Sequence, residues 1–152
     1  MVETPEAVLV IGHQTSDHLG VHVLGRSHPG ATDYWDANWI RCRVAIHAEP
    51  FHGEFTGDLR TDELRDLRAD FARLYSDLRG TAEYTNLDGH LNFGLKGDGL
   101  GHFVMEGSAA SDPGSGRILE FRLQLDQTQL PSVIKQIDRI LDRFAVVGSP
   151  DE

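Results

Sequence analysis

The sequence is poor in cysteine: Cys42 is the single thiol in 152 residues. One thiol cannot form an internal disulfide, which excludes the small disulfide-stapled class of secreted domains. Long apolar runs are also missing, and the longest near the amino terminus, Ala7 to Ile11, is far too short to cross a bilayer. Because that segment lacks the basic start and extended apolar core of a signal peptide, we predict a cytoplasmic protein that does not engage a membrane.

Basic residues are scarce. The chain has 14 Lys and Arg against 24 Asp and Glu, which gives a formal net charge of −10. A field of this sign repels phosphate backbones, so direct binding of nucleic acid is disfavoured. The same field attracts a basic protein and speeds its encounter.

Recognisable catalytic patterns are missing as well. The stretch "GDGLGH" over 97–102 is rich in glycine, but it has no Lys-Ser/Thr pair and no following helix, so it predicts a hairpin turn. Asp62 and Glu63 are predicted to lie on a solvated helix face, where neither pKa would be tuned for acid–base work. Cys42 falls on the apolar side of an alternating strand, which predicts a buried side chain. We therefore predict a protein that is not an enzyme, with no cofactor and no metal.

Alternating apolar and polar residues predict two sets of four strands, over 7–12, 18–26, 39–47 and 51–59 and then over 81–86, 90–96, 101–109 and 117–125. A helical period follows each set, from Thr61 to Arg79 and from Leu130 to Phe144. Thr61 is predicted to cap the first helix and Gly80 to end it.

The two halves are similar in order. Shifting the first by 66 positions places Glu54 on Glu120 and Phe55 on Phe121 without a gap. Six apolar helix positions then fall on apolar positions: Leu64, Leu67, Phe71, Leu74, Tyr75 and Leu78 on Leu130, Val133, Ile137, Ile140, Leu141 and Phe144. Any two such segments can be slid into partial register, but the identical connector length favours an internal repeat.

Apolar helix faces and apolar sheet faces must bury one another. We therefore predict an α+β fold: a mostly antiparallel, shared β-sheet with two amphipathic helices, built as two sequential β-β-β-β-α half-units. Residues 1–152 are predicted to form a single domain, with half-units 7–80 and 81–145 and tails 1–6 and 146–152.

Both tryptophans lie in the segment "TDYWDANW", beside carboxylates. Two interpretations stay open: the rings fold back on a sheet edge, or the segment is a recognition surface. Tyr and Trp provide large rigid contact areas, and neighbouring carboxylates can pair with Lys or Arg of a partner. The candidate partner-binding residues are Asp33, Tyr34, Trp35, Asp36 and Trp39.

Histidines are numerous in the first hairpin, where His13, His18 and His22 occur. They suggest an alternative function as a small-ligand or metal-binding module. A zinc site needs three or four converging ligands, and no established ligand spacing accompanies these residues. Solvent-facing strand and turn positions explain them equally well.

The stretch "LGRSHPGATDYWDANWIRCRV", together with "GDGLGH" and "FRLQLDQTQLP" downstream, resembles the WapI-type immunity proteins of bacterial contact-dependent and polymorphic toxin systems. The resemblance implies a non-enzymatic cytoplasmic protein that binds and neutralises a cognate toxin domain. Many such toxins are nucleases with basic surfaces, to which an acidic inhibitor with aromatic anchors is complementary. It implies no catalytic residues, and the toxin's identity and the oligomeric state stay open.

Overall fold

The computed structural model describes residues 4–151; residues 1–3 and 152, at the ends of the predicted tails, lie outside the described residues. Two units follow one another along the chain. The first contains β1 (Ala7–Gly12), β2 (His18–Arg26), α1 (Tyr34–Ala37), β3 (Trp39–Ala48), β4 (Phe51–Arg60) and α2 (Thr61–Asp77). The second contains β5 (Arg79–Thr85), β6 (Leu91–Asp98), β7 (His102–Ala109), β8 (Leu119–Asp126), a 3-10 turn (Gln127–Gln129) and α3 (Leu130–Arg143).

The strands form two antiparallel meanders of four strands each, in the orders β1-β2-β3-β4 and β5-β6-β7-β8. The α+β class and the two β-β-β-β-α units are therefore confirmed. The predicted shared sheet is instead two separate sheets. Within the described residues, the strands of one meander do not pair with those of the other. The turn predicted at "GDGLGH" joins β6 to β7.

Each helix protects the edge of the other unit's first strand. The Gln136 side chain on α3 accepts a hydrogen bond from the Val10 backbone N–H at 2.7 Å. The Asp70 carboxylate on α2 accepts one from the Glu83 backbone N–H at 3.3 Å. Asp70 and Gln136 are related by the same 66-residue shift, so the duplication extends to the contacts that cover otherwise free strand edges.

The hydrogen bonds at the amino-terminal starts of the two helical segments are related by the same 66-residue shift. The Glu63 carboxylate accepts a hydrogen bond from the Arg60 backbone N–H at 3.1 Å, and Gln129 accepts one from the Asp126 N–H at 2.9 Å. Arg60 is therefore the N-cap position of α2, and the prediction of Thr61 as the cap is wrong. Thr61 is instead the first residue of the helix and is fully buried. Its hydroxyl donates to the side-chain oxygen of Asn38.

The other end of α2 also differs from the prediction. The helix ends at Asp77, and Leu78 adopts a left-handed conformation with φ of 60°. Its N–H donates to the Leu74 carbonyl at 2.8 Å, which satisfies one of the last free helix acceptors. Gly80 is also left-handed but already lies in β5, so it follows the helix stop instead of forming it.

One hydrophobic cluster contains buried side chains of both units, including Leu64, Leu130 and Cys42. Cys42 has no exposed surface, as its strand parity predicts, and burial raises the pKa of its thiol well above the usual range. Helices α2 and α3 pack on each other, and Arg68 donates to Asp138 across that contact at 2.9 Å. Within residues 4–151, no helix combines the length and the apolar character that a membrane crossing requires.

Candidate functional site

The segment between β2 and β3 forms a short helix instead of an open loop. Asp33 is its N-cap, with extended backbone geometry, and its carboxylate accepts a hydrogen bond from the Asp36 N–H at 3.1 Å. The aspartate preceding "YWDA" is thus a local helix-start signal. The resulting turn, α1, places the Tyr34 and Trp35 side chains over the end of β4.

Arg60, the last residue of β4, lies beneath this turn and is 1% exposed. Its guanidinium donates to the Trp35 carbonyl at 2.7 Å and to the Tyr34 carbonyl at 2.9 Å. The Nε–H donates to an Asp62 carboxylate oxygen at 2.9 Å. A buried charge is tolerated here because it is paired and because its planar donors are used by three acceptors.

Three aromatic rings surround the same guanidinium. Its central carbon lies 5.1 Å from the Tyr34 ring centre, 5.3 Å from Trp35 and 4.8 Å from Trp39. These are cation–π distances, and the Tyr34 and Trp35 rings also meet edge to face at 5.0 Å. The aromatic residues are therefore clustered around a cation that lies 21 or more positions further along the chain.

The structure places the five candidate residues at different depths. Trp35 is 50% exposed, Asp33 and Asp36 are exposed, and Trp39 is partly buried. Tyr34 is 7% exposed, and its hydroxyl donates to the Asp62 carboxylate at 2.9 Å. The surface presented to solvent thus consists of Trp35 and two carboxylates, with the Tyr34 ring supporting it from below.

Asn38 anchors this segment to two other parts of the chain, the start of α2 and the carboxyl-terminal tail, and has no exposed surface. Its amide N–H groups donate to the carbonyls of Tyr34 and Val147, both at 2.9 Å. Its oxygen accepts from the Thr61 hydroxyl at 2.9 Å and from the Val147 N–H at 2.8 Å. Val147, in the predicted carboxyl-terminal tail, is therefore held against α1.

Glu63, like Arg60, has a role in this region that was not predicted from the sequence. It was predicted to face solvent, but Oε1 accepts hydrogen bonds from the Tyr84 hydroxyl at 2.7 Å and from the Asn86 amide at 3.0 Å, as well as from the N-cap N–H. Its Oε2 accepts from the Leu87 backbone N–H at 2.7 Å. Burial raises the pKa of Glu63, and these hydrogen bonds oppose that rise by favouring the charged form.

The predicted histidine set is not assembled as a metal site. His18 stacks instead on His47, which stacks on His52, with ring centres 4.5 Å apart in each pair. The three are direct cross-strand neighbours on β2, β3 and β4. Across the described part of the chain, no group of three or more His, Cys, Asp or Glu side chains is arranged to hold a metal ion.

This histidine stack predicts a loss of stability in mild acid. Loss of water contact, followed by the charges of His18 and His52, lowers the pKa of His47 below its ordinary 6.5. The folded state therefore binds protons less readily than the unfolded state, so stability is full above pH 6.5 and declines as the pH falls through that value. We expect the urea midpoint of the wild type to fall between about pH 7.5 and about pH 5.5 by more than that of His47→Gln. Equal falls in the two proteins would contradict this.

An open groove of about 640 Å³ lies on the outer face of the second sheet. Its charged lining is mixed, with Lys96, His102 and Arg122 beside Asp98 and Glu106. Arg122 approaches Glu106 at 3.8 Å on this solvent-exposed surface. The groove is thus an open sheet face whose charged residues are of both signs.

The comparison with known protein families agrees with the resemblance carried by the central segment. The family model described as immunity protein WapI-like family matches residues 10–145. The chain belongs to this family. The matched range covers both units of the WapI-like protein except the first three residues of β1, and it includes α1, Arg60 and Glu63. Among curated proteins, none matches the sequence significantly.

Proposed function

We propose that this WapI-like immunity protein binds a cognate bacterial toxin domain and neutralises it by covering its active surface, without chemistry of its own. The observation that carries the proposal is the rigid presentation of Trp35 beside Asp33 and Asp36. A buried arginine holds that turn from beneath through two backbone carbonyls. Anchors that are ordered before binding lose little conformational entropy on association.

The charge of the chain supports a basic toxin, of the kind that acts on nucleic acid. A net charge of −10 attracts a positively charged partner over a distance of about 10 Å at moderate salt. Enzymes that bind phosphate backbones carry such positive surfaces. Carboxylates of the inhibitor then set the register of the complex and raise the association rate, while buried aromatic contacts slow its dissociation.

Each candidate residue has a role that follows from its depth. The exposed half of the Trp35 ring fills an apolar pocket of the toxin, and Asp33 and Asp36 pair with its Lys or Arg side chains. Tyr34 and Trp39 contribute through the rings that hold Arg60 and Trp35 in place. In the cell, the producer's cytoplasm is where the protein meets its toxin.

The test is a calorimetric titration with the toxin domain encoded by the neighbouring open reading frame. We expect Trp35→Ala/Asp36→Ala to weaken binding by at least about thirtyfold, the effect of losing a central aromatic anchor. The matched control is Tyr75→Ala/Asp77→Ala, which removes an exposed ring and a carboxylate near the other end of α2. Equal affinities for wild type and the Trp35/Asp36 variant would overturn the site, and no binding by wild type would overturn the function.

A further inference from the structure

We propose that the β5–β6 turn, through Leu87 and Asp88, forms a second part of the toxin-binding surface beside Trp35. This inference rests on the proposed function and adds residues of the second unit to the toxin-binding surface. The turn belongs to the second unit of the repeat, whereas Trp35 belongs to the first. The partner is the same basic protein domain, engaged by both units at once.

The first step is that the turn is rigid although its tip is exposed. Asn86, at its start, is 3% exposed and donates to the Asp58 carbonyl at 3.2 Å. Its side-chain oxygen accepts from the His90 N–H at 2.9 Å, which closes the turn. Leu87 is nevertheless 60% exposed, and Asp88 is exposed beside it.

The second step is that the turn and the aromatic segment are fixed to the same end of α2. The Trp35 carbonyl binds the Arg60 guanidinium at 2.7 Å, and the Arg60 backbone N–H binds Glu63 at 3.1 Å. The Leu87 N–H binds the other oxygen of the same carboxylate at 2.7 Å. The Arg60 and Glu63 side chains therefore link the Trp35 backbone to the Leu87 backbone at the amino-terminal end of α2. A standard interface of about 800 Å² per partner has room for two segments joined in this way.

The third step is the chemistry of the two exposed segments, Trp35–Asp36 and Leu87–Asp88. Each presents one large apolar side chain that costs little entropy to immobilise, and each carries a carboxylate next to it: Asp36 beside Trp35 and Asp88 beside Leu87. Asp66, on the first turns of α2, is also exposed, and it forms an ion pair with the exposed Arg65 at 3.2 Å. Apolar anchors that each have a carboxylate beside them complement a protein surface with apolar pockets among Lys and Arg side chains.

Another exposed leucine provides a comparison. Leu100 is 77% exposed at the β6–β7 turn, where its N–H binds Asp98 within the same turn. Its turn also contains Gly99 and Gly101 at positive φ. No contact described for Leu100 ties it to α1 or to the start of α2, so it serves as the matched control.

The experiment measures the affinity of the same toxin domain for Leu87→Asp, Leu100→Asp and Trp35→Ala, with thermal unfolding of each variant as a folding check. We expect Leu87→Asp to weaken binding at least about tenfold, and Leu100→Asp to change it less than about twofold. Trp35→Ala is expected to weaken it as well. If wild type binds and Trp35→Ala weakens binding while Leu87→Asp does not, the second part of the surface is overturned and the proposed function survives.

A charge variant tests the same surface without altering an apolar anchor. Asp88→Lys is expected to slow association at low salt by at least about threefold, because it reverses a charge that faces the basic toxin. The matched control is Asp77→Lys, an equal charge reversal at the far end of α2. Equal association rates for the two variants would overturn the placement of Asp88 in the interface.

Discussion

Replacing Arg60 with methionine is expected to lower the free energy of unfolding by about 3–5 kcal/mol. The guanidinium is buried, and its removal leaves the Trp35 carbonyl without its donor and the Asp62 carboxylate without its cation. The Tyr34 carbonyl loses one of two donors and keeps the Asn38 amide. Each unsatisfied buried group costs about 1–3 kcal/mol. Methionine fills a similar volume, so the loss comes mainly from the missing donors and charge.

The same change is expected to weaken toxin binding by at least about tenfold, since α1 loses the group that fixes Trp35. Urea unfolding measures the stability, and calorimetry on protein that is still folded measures the affinity. Arg60→Lys keeps the charge but not the planar donors, so it should recover only part of each loss. Arg65→Met, on an exposed arginine of the same helix, should leave the stability nearly unchanged. An Arg60→Met variant as stable as wild type would contradict the central role of this contact.

Replacing Glu63 with alanine is expected to cost about 2–4 kcal/mol of folding free energy. The carboxylate accepts hydrogen bonds from four groups, those of Arg60, Tyr84, Asn86 and Leu87. Alanine leaves these donors without their acceptor at the contact between the two units. The cost is reduced because burial already disfavours the charged form of Glu63, as its raised pKa shows.

A local measurement separates this effect from general destabilisation. The Leu87 amide should lose hydrogen-exchange protection in Glu63→Ala far more than amides in the centre of β6, because its acceptor is removed. Glu63→Gln keeps Oε1 for three donors but turns an amide N–H towards the Leu87 N–H, so an intermediate stability is expected. Asp66→Ala removes an exposed carboxylate from the same helix and should be nearly neutral. Unchanged exchange at Leu87 would refute the contact.

Some of what the sequence analysis missed was within its reach. The Glu49-Pro50 turn places residues of β3 and β4 opposite one another, and counting outward from it pairs Trp39 with Arg60. That pairing would have put a cation beside the tryptophans. The burial of Arg60 was not readable in the same way, because it depends on α1 folding across the end of the hairpin.

Glu63 illustrates a different limit. Its position in the first helical turn beside Asp62 is typical of a solvated, dipole-facing carboxylate. It becomes an internal acceptor only because the β5–β6 turn of the second unit packs against that helix end. The period of a helix shows which of its faces is apolar. It does not show which backbone N–H groups from distant segments will contact its polar side chains.

The sequence by itself determined the two sets of strands, the two amphipathic helices, the repeat and the burial of Cys42, because hydrophobic period and turn chemistry are local properties. Tertiary structure alone decided that the strands divide into two sheets, that each helix covers the other unit's edge, and that the histidines stack on one another. It also decided that Arg60 and Glu63 organise the candidate surface. These features depend on contacts between residues far apart in sequence, which a local hydrophobic period does not record. The Arg60 cluster and the histidine stack join separate elements of the first unit, whereas the Glu63 contacts and the edge contacts form only when both units pack together.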